Sequence, residues 1–197
     1  TQTQGLLTTS TINSGVVTGF YVVLTPFLSK FINKTYLEAK NYMYSFLGFT
    51  GIALISINDF SQVFGNLFTL ICAGAYAMHI VLVERYVKNQ NISQLMFVQS
   101  LTGAILCLPL ITFSEFEFLY GNIFPIIFLG LVVNVGAFYL QLYGQKIIKA
   151  STSALILSME AIFALLIGIL VANEYLNILN WFGVLMVLIS IFLVVKE

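Results

Sequence analysis

The sequence predicts an all-α integral membrane protein of about seven transmembrane helices. Three observations carry this expectation. First, the 197 residues are 59% hydrophobic and only 8% charged, against about 25% charged in an ordinary soluble domain. Such a chain lacks the polar groups to cover a water-facing surface. Second, seven apolar runs approach the roughly 20 residues that cross about 30 Å of hydrocarbon. Third, none of them alternates polar and apolar residues as a barrel strand does. A backbone in lipid must satisfy its own hydrogen bonds, which selects helices.

The runs occupy residues 15–32, 42–57, 63–83, 94–113, 123–144, 153–172 and 178–195. The second is the shortest. The polar hinges after them hold nearly all the charges. In order they carry Lys30, Lys34, Glu38 and Lys40; Asp59; Glu84, Arg85 and Lys88; Glu115 and Glu117; Lys146 and Lys149; Glu174; and Lys196. Every second hinge is basic, and the others contain no Lys or Arg. By the positive-inside rule the basic hinges and the C-terminus are cytoplasmic, in a multi-pass protein of the cell (plasma) membrane. Thr1 then lies outside.

Zero net charge gives no electrostatic footprint for nucleic acid. Cys72 and Cys107 sit deep in apolar runs and read as small packing residues. With one histidine in the chain they are too few for a disulfide framework or a metal site, and no cofactor is expected. No basic segment precedes the first run, so no signal peptide is expected. A chain beginning at Thr1 reads as part of a longer protein.

Residues 14–56 overlie residues 153–195 without a gap, at an offset of 139. Tyr36/Tyr175, Leu37/Leu176 and Asn41/Asn180 are among the identical pairs. Each copy reads as a helix, a hinge with Tyr-Leu-x-x-x-Asn, and a second helix. The charge pattern puts one hinge inside and the other outside, so the copies are inverted. Inverted repeats are a common build of secondary transporters, with the substrate site near the midplane.

Three stretches carry a family resemblance. They are Ala137-Phe-Tyr-Leu-Gln141-Leu-Tyr-Gly-Gln145, Ser153-Ala-Leu-Ile-Leu-Ser-Met-Glu160-Ala-Ile-Phe-Ala-Leu, and Asn173-Glu174-Tyr-Leu. Together they resemble the second repeat of the EamA-type drug/metabolite transporters. Gly15-Val-Val-Thr-Gly-Phe-Tyr-Val-Val-Leu-Thr-Pro26 resembles the matching part of the first. The resemblance implies helices 4–10 of a ten-helix inverted-repeat transporter. Residues 1–58 would be the end of the first repeat and residues 63–197 the complete second, with three helices before Thr1. It implies exchange or ion-coupled transport of small metabolites or drugs. The expected partners are membrane lipid, a small-molecule substrate and a coupling proton or sodium ion, with a homodimer left open. The family often has a proline after the glutamate of its ninth helix, where this chain has Ala161.

Glu160 is the only acidic residue well inside an apolar run. A carboxylate there is costly and marks a substrate or proton site by default; the plainer reading is a hydrogen-bonded packing residue. Asn134, Gln141 and Gln145 fall on one helical face, where they either contact a polar substrate or join helices by hydrogen bonds. Gln99 has the same two readings. Tyr21, Tyr76 and Tyr139 either line an aromatic cavity or pack. His79 reads as a hydrogen-bonded packing residue before a proton-linked switch, and Pro26 predicts a kink.

Rival functions are weighed against particular features. A retinal protein needs a lysine in the last run, and residues 178–195 contain none. A seven-helix receptor or a scaffold protein without transport activity stays the alternative: a receptor gives no reason for an inverted repeat, and Glu160 with the polar stripe argues mildly against a scaffold. An intramembrane enzyme needs a nucleophile with its base, and no such pair is visible. ATP is not the energy source expected, because no GxxxxGK[ST] loop is present.

Overall fold

A computed structural model describes residues 2–34, 39–57, 62–111 and 123–195. Within them every regular element is helical: α1 (Gln2–Gly5), α2 (Thr11–Gly19), α3 (Tyr21–Asn33), α4 (Ala39–Ile57), α5 (Val63–Tyr86), α6 (Ile92–Ile111), α7 (Ile123–Phe128), α8 (Phe138–Gln145), α9 (Ala150–Leu157), α10 (Met159–Leu170) and α11 (Ile178–Val195). A 3₁₀ turn (Val87–Asn89) follows α5, and a π-helix (Leu129–Ala137) joins α7 to α8. The hinge residues Tyr36, Leu37, Glu38, Asp59, Glu115 and Glu117, and Lys196, lie outside the described residues.

Among the described residues five stretches are long and apolar enough to cross a membrane: Thr11–Asn33, Val63–Asn89, Ile92–Pro109, Ile123–Gln145 and Ala150–Leu170. Tyr42–Ile55 and Ile178–Leu193 are shorter apolar helices. The protein is therefore an all-α membrane protein. Large apolar side chains such as Phe97, Leu106, Phe124 and Leu140 are exposed, as a lipid-facing surface requires.

Three expected runs are interrupted. The first breaks at Phe20, the sixth at Ser158, and the fifth passes through the π-helix. At Phe20 the backbone turns by i→i+3 bonding, Val23 N–H to Phe20 O at 3.0 Å, and Ala161 N–H to Ser158 O repeats this at 3.0 Å. The dihedrals nearly coincide, at φ −61°, ψ −14° for Phe20 and φ −65°, ψ −10° for Ser158. Gly19, the residue 139 positions before Ser158, is like serine a weaker helix former than alanine. The same offset relates the two non-glycine residues of positive φ among the described residues, Lys34 (55°) and Asn173 (52°).

The chain forms two compact units. The first comprises Thr1–Leu82 and Lys149–Glu197. In it α4 packs along α11, α2 along α10, and α3 against α9. Both long pairings run antiparallel. Gly15 faces Ala164 and Gly168 faces Ile12. Gly51 and Gly183 face each other so closely that a side chain on either would stand 2.6–2.7 Å from the other's carbonyl oxygen. Small residues at such crossings let backbones approach and gain dispersion contact in lipid. The offset exchanges this contact with another: Gly51 corresponds to Ser190 and Gly183 to Tyr44, and Ser190 Oγ donates to Tyr44 O at 2.6 Å.

The second unit is Val83–Ile148. Val83, Val87, Met96 and Leu142 form its buried cluster, with Ile92, Leu95 and Phe138 against it. Lys146 Nζ donates to Gln90 O at 3.3 Å, tying the end of α8 to the turn after α5.

Candidate functional site: the Glu160 cluster

Glu160 stands in the first turn of α10, just past the Ser158 break. A helix that restarts inside an apolar run presents unsatisfied N–H groups and partial positive charge at that point. An anionic side chain in the first turn is favoured there. The break therefore offsets part of the cost of a carboxylate inside the span.

Tyr21 begins α3 after the matching break at Phe20 and is the residue 139 positions before Glu160. Its ring is buried and meets Tyr76 of α5 edge-on, with centroids 4.8 Å apart and planes at 90°. Tyr76 in turn stacks with His79 at 6.0 Å. Glu160 lies within electrostatic reach of both phenols and is itself exposed. The Gln2 side chain lies near Glu160 and donates to Thr18 Oγ1 at 3.3 Å. The Tyr21 hydroxyl is buried with no hydrogen-bond partner. So Glu160, Tyr21 and Tyr76 come together in the first unit: one carboxylate near two aromatic rings and one phenol without a hydrogen-bond partner.

The other four candidates belong to the second unit. Gln141 and Gln145 are buried, and Gln141 Nε2 donates to Gln145 Oε1 at 3.1 Å along α8. Asn134 is exposed. The π-helix takes more residues per turn than an α-helix, so a spacing of seven no longer returns to the same face. Tyr139 is 39% exposed, and Gln99 is half-buried on α6.

Sequence reasoning missed several polar groups. Ser10, Ser14, Thr18, Thr25 and Ser29 recur with the already named Tyr21 at helical three- and four-residue spacing along α2 and α3. Thr18 and Thr25 return their hydroxyl protons to the carbonyls of Ser14 and Tyr21, at 2.8 and 2.7 Å. This periodicity was available as a signal. Glu174, treated as a hinge charge, accepts the N–H groups of Thr11 at 2.7 Å and Ile12 at 3.0 Å, and so caps α2 from across the chain. No sequence signal pairs residues so far apart. Among the described residues no three His, Cys, Asp or Glu side chains gather to hold a metal.

Residues 63–196 match the EamA-like transporter family. The chain belongs to this family. An uncharacterized transporter of Archaeoglobus fulgidus is 30% identical over 195 residues, which are 98% of this chain and 63% of that protein. The chain thus spans under two thirds of the length of that relative. In this EamA-like chain an apolar groove of about 580 Å³ runs beside α4 and α11, lined by Tyr42, Phe46, Met186 and Leu193 among others. It offers almost no polar surface to read a solute and fits the lipid side of the helices.

Proposed function

We propose that the protein is a secondary transporter of small metabolites or drugs, working by alternating access across the plasma membrane with its C-terminus in the cytoplasm. Glu160 is its point of recognition, and the solute bears a cationic group. The observation that carries this reading is the exposed carboxylate of Glu160 beside the rings of Tyr21 and Tyr76. A carboxylate favours an ammonium through charge and charge-assisted hydrogen bonding, and aromatic rings nearby suit a cation that carries apolar groups. Family membership supports transport rather than catalysis. The near-matching breaks at Phe20 and Ser158 support an alternating mechanism, because interrupted helices at midplane are where transporters of inverted-repeat build bind and move.

The side chains of the second unit, Asn134, Gln141, Gln99 and Tyr139, are proposed as further substrate contacts. Gln141 has the weakest claim, since it is bonded to Gln145. The experiment is uptake of a radiolabelled aromatic amine into vesicles holding the protein. Glu160→Gln keeps the shape and removes the charge. Its uptake efficiency falls at least about thirtyfold, the roughly 2 kcal/mol floor for removing one partner of a desolvated charge pair, while Glu160→Asp keeps measurable transport. Equal uptake by Glu160→Gln overturns the assignment.

A further inference from the structure

Glu174 joins two helices that the 139-residue offset places in different repeats. Its Oε1 accepts the Thr11 N–H at 2.7 Å and its Oε2 the Ile12 N–H at 3.0 Å. Ser10 Oγ accepts the Asn13 N–H at 3.1 Å, and Ser10 O the Ser14 N–H at 2.9 Å. The four N–H groups that open α2 thus all have partners, two of them supplied by one carboxylate. That carboxylate is also held from its own side. Asn173 has left-handed backbone, φ 52°, which asparagine adopts more readily than most residues. The turn brings Glu174 N–H back to Gly168 O at 2.9 Å. Ile12 sits on Gly168, where an added side chain would also stand 3.2 Å from Glu174 Oε2.

No Asp, Glu, Lys or Arg precedes Lys30, and between Lys149 and Lys196 only Glu160 and Glu174 are charged. Neither α2 nor α10 therefore offers Glu174 a basic side chain. The positive end of α2 is its counter-charge. From Glu160 to Leu170 α10 rises about 15 Å, so this contact closes the end of the α2–α10 pair away from Glu160. The offset exchanges that pair with α9 and α3, and puts Lys34 and Thr35 in the places of Asn173 and Glu174. Lys34 keeps the left-handed backbone. Threonine has one oxygen and no charge where Glu174 has two oxygens and a full charge. The carboxylate clamp is thus built at one end of the repeat pair only.

Transporters of inverted-repeat build alternate by rocking one repeat against the other. Such rocking parts α2 from α10 at this end, against two charge-assisted hydrogen bonds. On the reading of the protein as an alternating-access transporter, on which this rests, we propose that Glu174 is a latch. It holds closed the end of the α2–α10 pair that the hinge charges place outside, and it lets go of α2 when the protein opens there.

Thiol accessibility tests this without a solute. Ile12 is 0% exposed, and Ser153, on the exchanged helix α9, is 4% exposed. Each is replaced by cysteine in a background lacking Cys72 and Cys107. The rate of reaction with a charged methanethiosulfonate is then measured in lipid nanodiscs, where the reagent reaches both faces. Adding Glu174→Ala raises the rate at Ile12→Cys at least about tenfold, the equivalent of one hydrogen bond to a charged group. The rate at Ser153→Cys stays unchanged or falls. Glu174→Gln keeps one acceptor oxygen and gives a smaller rise. An unchanged rate at Ile12→Cys overturns the latch. An equal rise at both positions overturns it too, because a cap that only stabilises the fold loosens both. Recognition at Glu160 is judged by uptake of the aromatic amine, which these rates do not use, so the two readings fail separately.

Discussion

At the residue scale, Tyr21 and Glu174 show two ways in which a polar group is placed inside or against an apolar fold. The Tyr21 phenol is buried without a hydrogen-bond partner, so its oxygen contributes little to stability, while its ring packs on Tyr76. Tyr21→Phe relieves the desolvation cost of an unpaired buried hydroxyl and is therefore expected to raise stability, by up to about 1–3 kcal/mol, yet to lower affinity for an aromatic amine. Tyr21→Ala is expected to cost about 3–5 kcal/mol as a buried aromatic truncation. Thermal unfolding in detergent, paired with ligand titration, separates the two. Glu174 holds two helix N–H groups that would otherwise lack a partner. Glu174→Ala should cost about 0.5–2 kcal/mol, the range for a lost N-cap, with Glu174→Gln between it and the wild type; equal midpoints for all three would contradict the capping role. Glu160 was legible in the sequence because a lone carboxylate in an apolar run is costly and stands out from its neighbours. The Glu174 cap was not, since it joins residues 163 positions apart.

At the scale of elements, hydropathy located the spanning stretches but not their breaks. Composition averages over a run, whereas a break depends on one or two weak helix formers and on what packs across them. The stretch from Leu129 to Ala137 shows the consequence: read as α-helix, Asn134 and Gln141 share a face, and the π-helix separates an exposed Asn134 from a buried Gln141. The 139-residue offset carried more than its few identities suggested, because it relates helix boundaries, near-matching breaks and residues of left-handed backbone together. The α4–α11 crossing gives a direct test. Gly183→Val would drive methyl groups into the backbone of Gly51 and Ile55, and overpacking of this kind costs about 1–3 kcal/mol. The same substitution at Gly74, where nothing lies within 4 Å, should cost less than half as much. Comparable losses at both positions would mean that the crossing is looser than the geometry shows.

For the whole molecule, low charge fixed the membrane environment, and the alternating basic hinges fixed an expected orientation. That orientation is tested by single cysteines in a background lacking Cys72 and Cys107. Tyr175 is 95% exposed, so Tyr175→Cys should react with an impermeant maleimide added to intact cells. Lys88→Cys should react only after permeabilisation. The reverse pattern would invert the topology and move Glu174 to the cytoplasmic side.

Everything functional turns on whether Glu160 meets a solute. The decisive measurement is equilibrium binding of radiolabelled benzyltrimethylammonium, a cation with an aromatic face and no titratable proton, to the wild type and Glu160→Gln in lipid nanodiscs. Saturable binding by the wild type that weakens at least about thirtyfold in the variant, the same roughly 2 kcal/mol loss of a charge partner, with an unchanged unfolding midpoint, is expected. Equal affinity in both proteins would remove Glu160 from recognition and leave it a packing residue.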